Sequence, residues 1–256
     1  MSERGMSVLL YGPAKVGKST SAVTSPLPML FLDAENASRF LRKPDGTMFK
    51  KKSWNPLLEG PPENDGTWEI CVVKVTDWKI ALKAYEYLKT NNHPFRSLVI
   101  DSITEMQDKL KKQVLGGSGQ LKMQDWGKML QSMGDFLRQI RDLTTDDASP
   151  LEAIILIAMA REFKNPNGTT EMRPHMEGQV AQLVPYLYDM TAYIYQEQVR
   201  NEETGEIFDQ RSLLTVGVEG YEAGNRVGYS RNNGRAVIPN PNFSNMLDEL
   251  FGPLDN

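Results

Sequence analysis

Val8-Leu9-Leu10-Tyr11-Gly12-Pro13-Ala14-Lys15-Val16-Gly17-Lys18-Ser19-Thr20 decides how the chain is read. Its first four residues are a short apolar run, the pattern of a buried strand. The run breaks at Gly12 into a loop that fits G-x-x-x-x-G-K-[ST], the phosphate-binding P-loop, and a preceding strand is the context that pattern requires. The chemistry explains the residue types. Gly12 and Gly17 let the backbone turn successive N–H groups toward an anion, and the following helix adds the positive end of its dipole. Pro13, Ala14, Lys15, Val16 and Thr20 complete the cradle. Lys18 is placed to reach the β- and γ-phosphates, and the Ser19 hydroxyl to ligate Mg²⁺. The stretch predicts a nucleoside triphosphate site.

The 256 residues around it suffice for one large α/β domain with a real core. Hydrophobic residues at 40% and charged ones at 24% exclude a disordered or membrane-embedded chain. No apolar run approaches the ~20 residues of a membrane helix, and the few residues before the P-loop strand leave no room for a signal peptide. Cys71 is the only cysteine, so no internal disulfide or cysteine metal cluster is expected and the compartment reads as cytoplasmic. A net charge of −4 argues against coating nucleic acid with the whole surface, but leaves room for a local basic groove.

Downstream, a second strand over 29–32 ends in Asp33-Ala34-Glu35-Asn36. Its two carboxylates either face a ligand at the C-terminal edge of the sheet or cap a helix over 37–41. Residues 42–68 read as a polar, partly mobile surface excursion, unusually long for a compact domain, whose Lys50-Lys51-Lys52 run is a solvated loop or a DNA contact. A third strand spans 70–75, and Asp77 caps a helix over 78–90. The apolar strand 97–102 carries Asp101, the Walker B arrangement, in which the carboxylate holds Mg²⁺ through water or through Ser19.

Helices over 103–115 and 124–143 flank a flexible tip at 116–119. The stripe of Trp126, Met129, Leu130, Met133, Leu137 and Ile140 on the second helix reads as core. The most apolar strand, 153–159, is predicted to be central. It leads into a polar loop over 161–177 with Lys164, Arg173 and His175, the histidine having no partner at a metal spacing. Residues 180–188 read as helical or irregular. Strands over 190–196 and 212–218 are joined by a hairpin signal at 201–205. Arg226, Arg231 and Arg235 precede a short helix over 244–251. The expected fold is a single three-layer α/β/α domain over 1–256. Its sheet is mostly parallel, with a C-terminal antiparallel extension and short helix within 201–256.

The order of P-loop, Asp-Ala-Glu, Walker B with Asp-Ser, flexible tip, amphipathic helix, apolar strand and polar loop resembles the RecA core. Phe31-Leu32-Asp33-Ala34-Glu35-Asn36-Ala37 is similar to its second strand, and the P-loop start together with the modest length resembles phage-encoded RecA-like ATPases, the Sak-type single-strand annealing recombinases. The resemblance implies a Mg²⁺-dependent ATPase that binds single-stranded DNA, promotes annealing or strand exchange in recombination, and works in the cytoplasm of a bacterial host. It implies that Glu35 polarises the attacking water, and that the tip and the 162–177 loop face DNA, with Lys122, Lys164 and Arg173 on phosphates. It implies a homo-oligomer, ring or filament, in which an arginine (Arg226 first, then Arg231 and Arg235) reaches the neighbour's γ-phosphate. A single-stranded DNA-binding protein is a further implied partner. Two departures stand out. Where RecA ends its central strand in an Asn-Gln pair that senses the γ-phosphate, this chain has Met159-Ala160-Arg161, so the sensor is Arg161 or is missing. The docking segment ahead of the RecA P-loop strand has no counterpart, so stable filaments are not implied. The rivals are a DNA-handling motor or helicase loader, and a non-hydrolysing nucleotide switch that recruits replication proteins. ATP is favoured over GTP because no guanine-reading Asn/Thr-Lys-x-Asp motif occurs.

Overall fold

The apolar run at the start of the P-loop becomes β1 (Met6–Gly12), in which every residue is buried. A strand buried on both faces needs parallel neighbours covered by helices, and that is how the rest of the chain is laid out. The computed structural model describes residues 4–116, 122–228 and 236–253. The remaining strands are β2 (Met29–Asp33), β3 (Lys51–Ser53), β4 (Ile70–Lys74), β5 (Ser97–Asp101), β6 (Ala153–Lys164), β7 (Thr170–Pro174), β8 (Met190–Arg200), β9 (Ile207–Leu214), β10 (Gly224–Asn225) and β11 (Val237–Pro239). The helices are α1 (Lys18–Ala22), α2 (Trp78–Leu88), α3 (Ile103–Val114), α4 (Met123–Asp142), α5 (Val180–Leu187) and α6 (Phe243–Phe251).

The strands form one sheet in the order β11-β9-β8-β1-β6-β5-β2-β4-β3, with β7 on β6 and β10 on β8. From β8 to β3 every pairing is parallel. The pairs β8–β9, β9–β11, β8–β10 and β6–β7 are antiparallel. This is the mostly parallel α/β sheet expected, with its antiparallel extension at the C-terminal end. Strand alternation sorts the core into two layers. Leu9, Tyr11, Leu32, Ile100 and Leu156 pack with residues of α2, α3, α4 and α5. Val8, Leu10, Phe31, Val99 and Ile155 pack with Ala22 and Val23 at α1 and with Phe243, Met246 and Leu247 of α6. Among the described residues no helix is long and apolar enough to cross a membrane.

Four sequence expectations are revised. The 42–68 excursion is anchored: it contributes β3, and Trp54 and Trp68 are buried against Phe95, with centroid distances of 6.0 Å to each. Each indole N–H needs a partner when buried, and the excursion supplies them, Glu59 O at 3.1 Å and Glu63 O at 3.0 Å. The helix expected over 37–41 is a single 3₁₀ turn, Ala37–Phe40. The polar loop over 161–177 is instead a hairpin: β6 runs on to Lys164 and returns as β7 through a turn in which Asn165 N bonds Thr169 O. Its outer half is exposed on both faces, so it shows no apolar alternation that pattern reading could detect. Finally, β9 begins at Ile207, five residues before the predicted strand, because its ladder with β8 starts directly after the turn, at the Arg200–Ile207 pair.

Candidate nucleotide site

The P-loop leaves β1 at Gly12, where two constraints explain the glycines. A Cβ on Gly12 would sit 2.3 Å from the carbonyl oxygen of Ile194 on β8, so no side chain fits between the two strands. Gly17 has φ +100°, in the region that favours glycine, and it caps the start of α1. Lys15 also has positive φ, 64°. Lys18 Nζ curls back over the loop and donates to Gly12 O at 2.9 Å and Pro13 O at 2.6 Å. Burial lowers the Lys18 pKa, while Asp101 and Glu35 act in the opposite sense. A cavity of about 590 Å³ opens beside the loop, lined by Pro13, Ala14, Lys15 and Val16 on one side and by Tyr193, Tyr195 and Tyr221 on the other.

Three adjacent strand ends complete the site. β1 and β5 flank β6, so Gly12 and Asp101 lie at the same edge of the sheet, opposite Met159 and Ile157 respectively. Across that gap Ser19 Oγ donates to Asp101 Oδ2 at 2.5 Å, joining the P-loop to the Walker B strand. Asp101 is 3% exposed. Burial raises its pKa to about 6, with the Ser19 hydrogen bond opposing and Glu35 and Asp33 adding repulsion.

The pair left open by the sequence divides cleanly. Asp33, directly opposite Asp101 in the β2–β5 ladder, is spent on structure. It accepts from Ala37 N at 2.9 Å and from Ser38 N and Oγ at 3.2 and 2.5 Å, which caps the 3₁₀ turn. Glu35 is exposed, and Ser102 Oγ donates to its Oε1. The Ser102 hydroxyl also accepts from Glu105 N at 3.2 Å and so caps α3. Further along α3, the Gln107 side chain bonds Glu177 N and O, and Lys111 pairs with Glu177 and lies 5.0 Å from the Trp126 ring centroid.

Mg²⁺ prefers a few hard oxygen ligands and completes its shell with water and substrate phosphates. Ser19 Oγ and Asp101 Oδ2 fit that preference, and a buried carboxylate repelled by two others is relieved by a cation. With Mg²⁺ and ATP bound, the metal would neutralise charge on the β- and γ-phosphates. Among the described residues no group of three His, Cys, Asp or Glu gathers as a self-sufficient metal cluster.

The other predicted residues fall elsewhere. Lys164 and Arg173 come together on the β6–β7 hairpin. They line a groove of about 630 Å³ with Arg161, Phe163, Trp126 and Glu177. Arg173 pairs with Glu171 at 2.7 Å and stacks over Phe163 at 4.4 Å. Lys122 is exposed at the start of α4, one turn before Trp126 and outside that lining. Arg226 is not brought to the P-loop. Its guanidinium donates to Tyr186 O and Tyr188 O and lies 3.6 Å from Asp189, beside the N-terminal end of β8, at the opposite edge of the sheet. Arg231, Arg235 and the tip beyond Gly116 lie outside the described residues. Sequence reading missed Arg211, which packs on Gly17 from β9. The only available signal was its spacing of two from apolar Leu213, which puts both on one strand face.

Residues 4–227 match the sequence model described as an AAA domain. This chain belongs to that family of P-loop nucleotide-binding proteins. The match takes in the P-loop, Asp101 and both hairpins, so the geometry above belongs to an AAA-type ATPase domain. No curated protein matches the chain.

Proposed function

We propose that this AAA-domain protein is a Mg²⁺-dependent ATPase that uses ATP hydrolysis to act on single-stranded DNA, as the phage RecA-like annealing recombinases do. The observation that carries the reading is the chain Ser19–Asp101 on one strand end and Ser102–Glu35 beside it. In this reading Lys18 leaves the loop carbonyls for the β- and γ-phosphates, Ser19 and Asp101 hold the metal, and Glu35 orients the attacking water and takes its proton. Ser102 holds the Glu35 carboxylate in place for that task. Asp33, its oxygens occupied by three donors, stays out of the chemistry.

The DNA half rests on the hairpin groove and on the resemblance to RecA. Lys164 and Arg173 offer phosphate contacts, and Phe163 and Trp126 offer ring faces for unpaired bases. Fluorescence anisotropy with an oligonucleotide, in Mg²⁺-ATP, tests it directly. Binding should weaken steeply with salt, and removing the charges at Lys164 and Arg173 should flatten the slope. ATPase activity should rise with single-stranded DNA, and complementary strands should anneal. Binding and stimulation without annealing would favour a motor or loader. No binding at low salt would favour a nucleotide switch.

The protein would assemble with copies of itself, and Arg226 would serve the neighbour's γ-phosphate only if the foot of one sheet meets the P-loop of the next. Turnover should then rise faster than linearly with concentration. Arg226→Ala should regain activity when mixed with excess Lys18→Ala. Linear activity with no recovery would remove the trans role.

A further inference from the structure

Arg211 reaches the P-loop from a strand two positions away in the sheet. A Cβ built on Gly17 would lie 2.5 Å from Arg211 Nε and 2.8 Å from its Cδ, so the side chain lies directly on the first turn after the loop. Its placement is fixed by the fold. Arg211 pairs with Gln196 in the β8–β9 ladder, and its carbonyl accepts from Asn240 N at 2.7 Å. Two residues on, Leu213 is buried in the same apolar layer as Ala22 and Val23, which puts the arginine on the α1 side of the sheet.

The guanidinium itself is uncommitted. Arg4, Arg96, Arg173 and Arg226 each have a carboxylate partner. The Arg211 guanidinium has no hydrogen bond or ion pair among the described residues, and the residue is exposed. A planar cation with five N–H donors, always charged, held against a loop that also carries Lys15 and Lys18, is a site for an anion with two adjacent oxygens.

We propose that Arg211 is a phosphate ligand acting within its own chain, on the diphosphate that ATP and ADP share. The inference rests on the nucleotide reading of the loop and names a residue that the motif does not contain. It follows from position: the arginine lies over Gly17, where the P-loop backbone cradles the α- and β-phosphates, and away from Glu35, where the γ-phosphate would be attacked. Lys18 supplies a point charge, whereas Arg211 supplies a fork that pairs two oxygens and fixes the diphosphate's orientation.

Calorimetric titration of the full chain with Mg²⁺-ATP and Mg²⁺-ADP tests this. Arg211→Gln should weaken both nucleotides by about 10- to 100-fold, the range of one or two charge-assisted hydrogen bonds. Arg211→Lys should recover part of the loss, and the unfolding temperature without nucleotide should not change in either variant. Wild-type affinity in Arg211→Gln would overturn the assignment. So would a loss confined to ATP, or an equal loss in Arg211→Lys with a lowered unfolding temperature. Failure of the wild-type protein to bind either nucleotide would instead sink the P-loop reading itself.

Discussion

Replacing Asp101 with asparagine should stabilise the metal-free protein at neutral pH while abolishing its stabilisation by Mg²⁺-ATP. The carboxyl is 3% exposed, and its pKa stands at about 6 against an ordinary 3.8, chiefly through burial. Between those values the folded protein holds the proton more tightly than the unfolded chain does. Stability therefore falls as pH rises through that window, and the cost is complete above it. At 1.36 kcal/mol per pH unit the displacement is worth about 3 kcal/mol. Asparagine keeps the volume and can still accept from Ser19, but it loses part of that gain because its amide needs partners of its own. For a domain of this size about 2–4 °C accompanies each kcal/mol, so the unfolding temperature should rise by about 4–10 °C. The assay is thermal denaturation of both proteins in EDTA from pH 4 to 8. The gain should be largest at pH 7–8 and vanish near pH 4, while Mg²⁺-ATP should raise the unfolding temperature of the wild type alone. A variant no more stable than wild type at pH 7.5, or a gain independent of pH, would refute the reasoning.

Glu35→Gln keeps the side chain's shape and its contact with Ser102 but removes the carboxylate proposed as the base. Nucleotide affinity should stay near wild type while turnover falls by about 10²- to 10⁴-fold, measured by calorimetry and phosphate release. Wild-type turnover in that variant would move the role elsewhere. Cys71 lies buried on β4, and burial pushes its thiol up to about 12. A thiol reagent at pH 8, followed by mass spectrometry, should label it only as the protein unfolds; rapid labelling of the native protein would mean that this strand opens.

The nucleotide loop was readable because its geometry is local: two glycines, a lysine and a hydroxyl within eight residues do the work, and the strand before them is marked by its apolar run. Asp101 was readable for a related reason, since an apolar strand must end where the sheet meets the ligand. The different fates of Asp33 and Glu35 were not readable. They depend on Ser38 and Ser102, one local and one across a strand pair, and residue type alone assigns neither. The β6–β7 hairpin was concealed because polar side chains stand on both faces of its outer half, where backbone pairing holds the two strands together, while Ala160 and Met172 nearer its base reach the core. Arg211 depends on the register of β9 against a loop formed nearly two hundred residues earlier, which no window of sequence contains. The tryptophans of the 42–68 excursion were hidden in the same way, by a polar neighbourhood that reads as solvent.

The Ser102 hydroxyl has a consequence beyond holding Glu35. It sits at the head of α3, a rod of 12 residues and about 18 Å, whose flank is fastened at Gln107 and Lys111 to the floor of the basic hairpin groove. A rod pinned at both places transmits displacement without needing to bend. If nucleic acid occupies that groove as proposed, a shift of Glu177 or Trp126 would push on the same helix whose head holds the Glu35 carboxylate, and a nucleotide that drew Glu35 inward would pull on the groove. Timing between the two sites would then be a matter of mechanics, set by the stiffness of three helical turns and tunable by loosening Gln107 and Lys111 together.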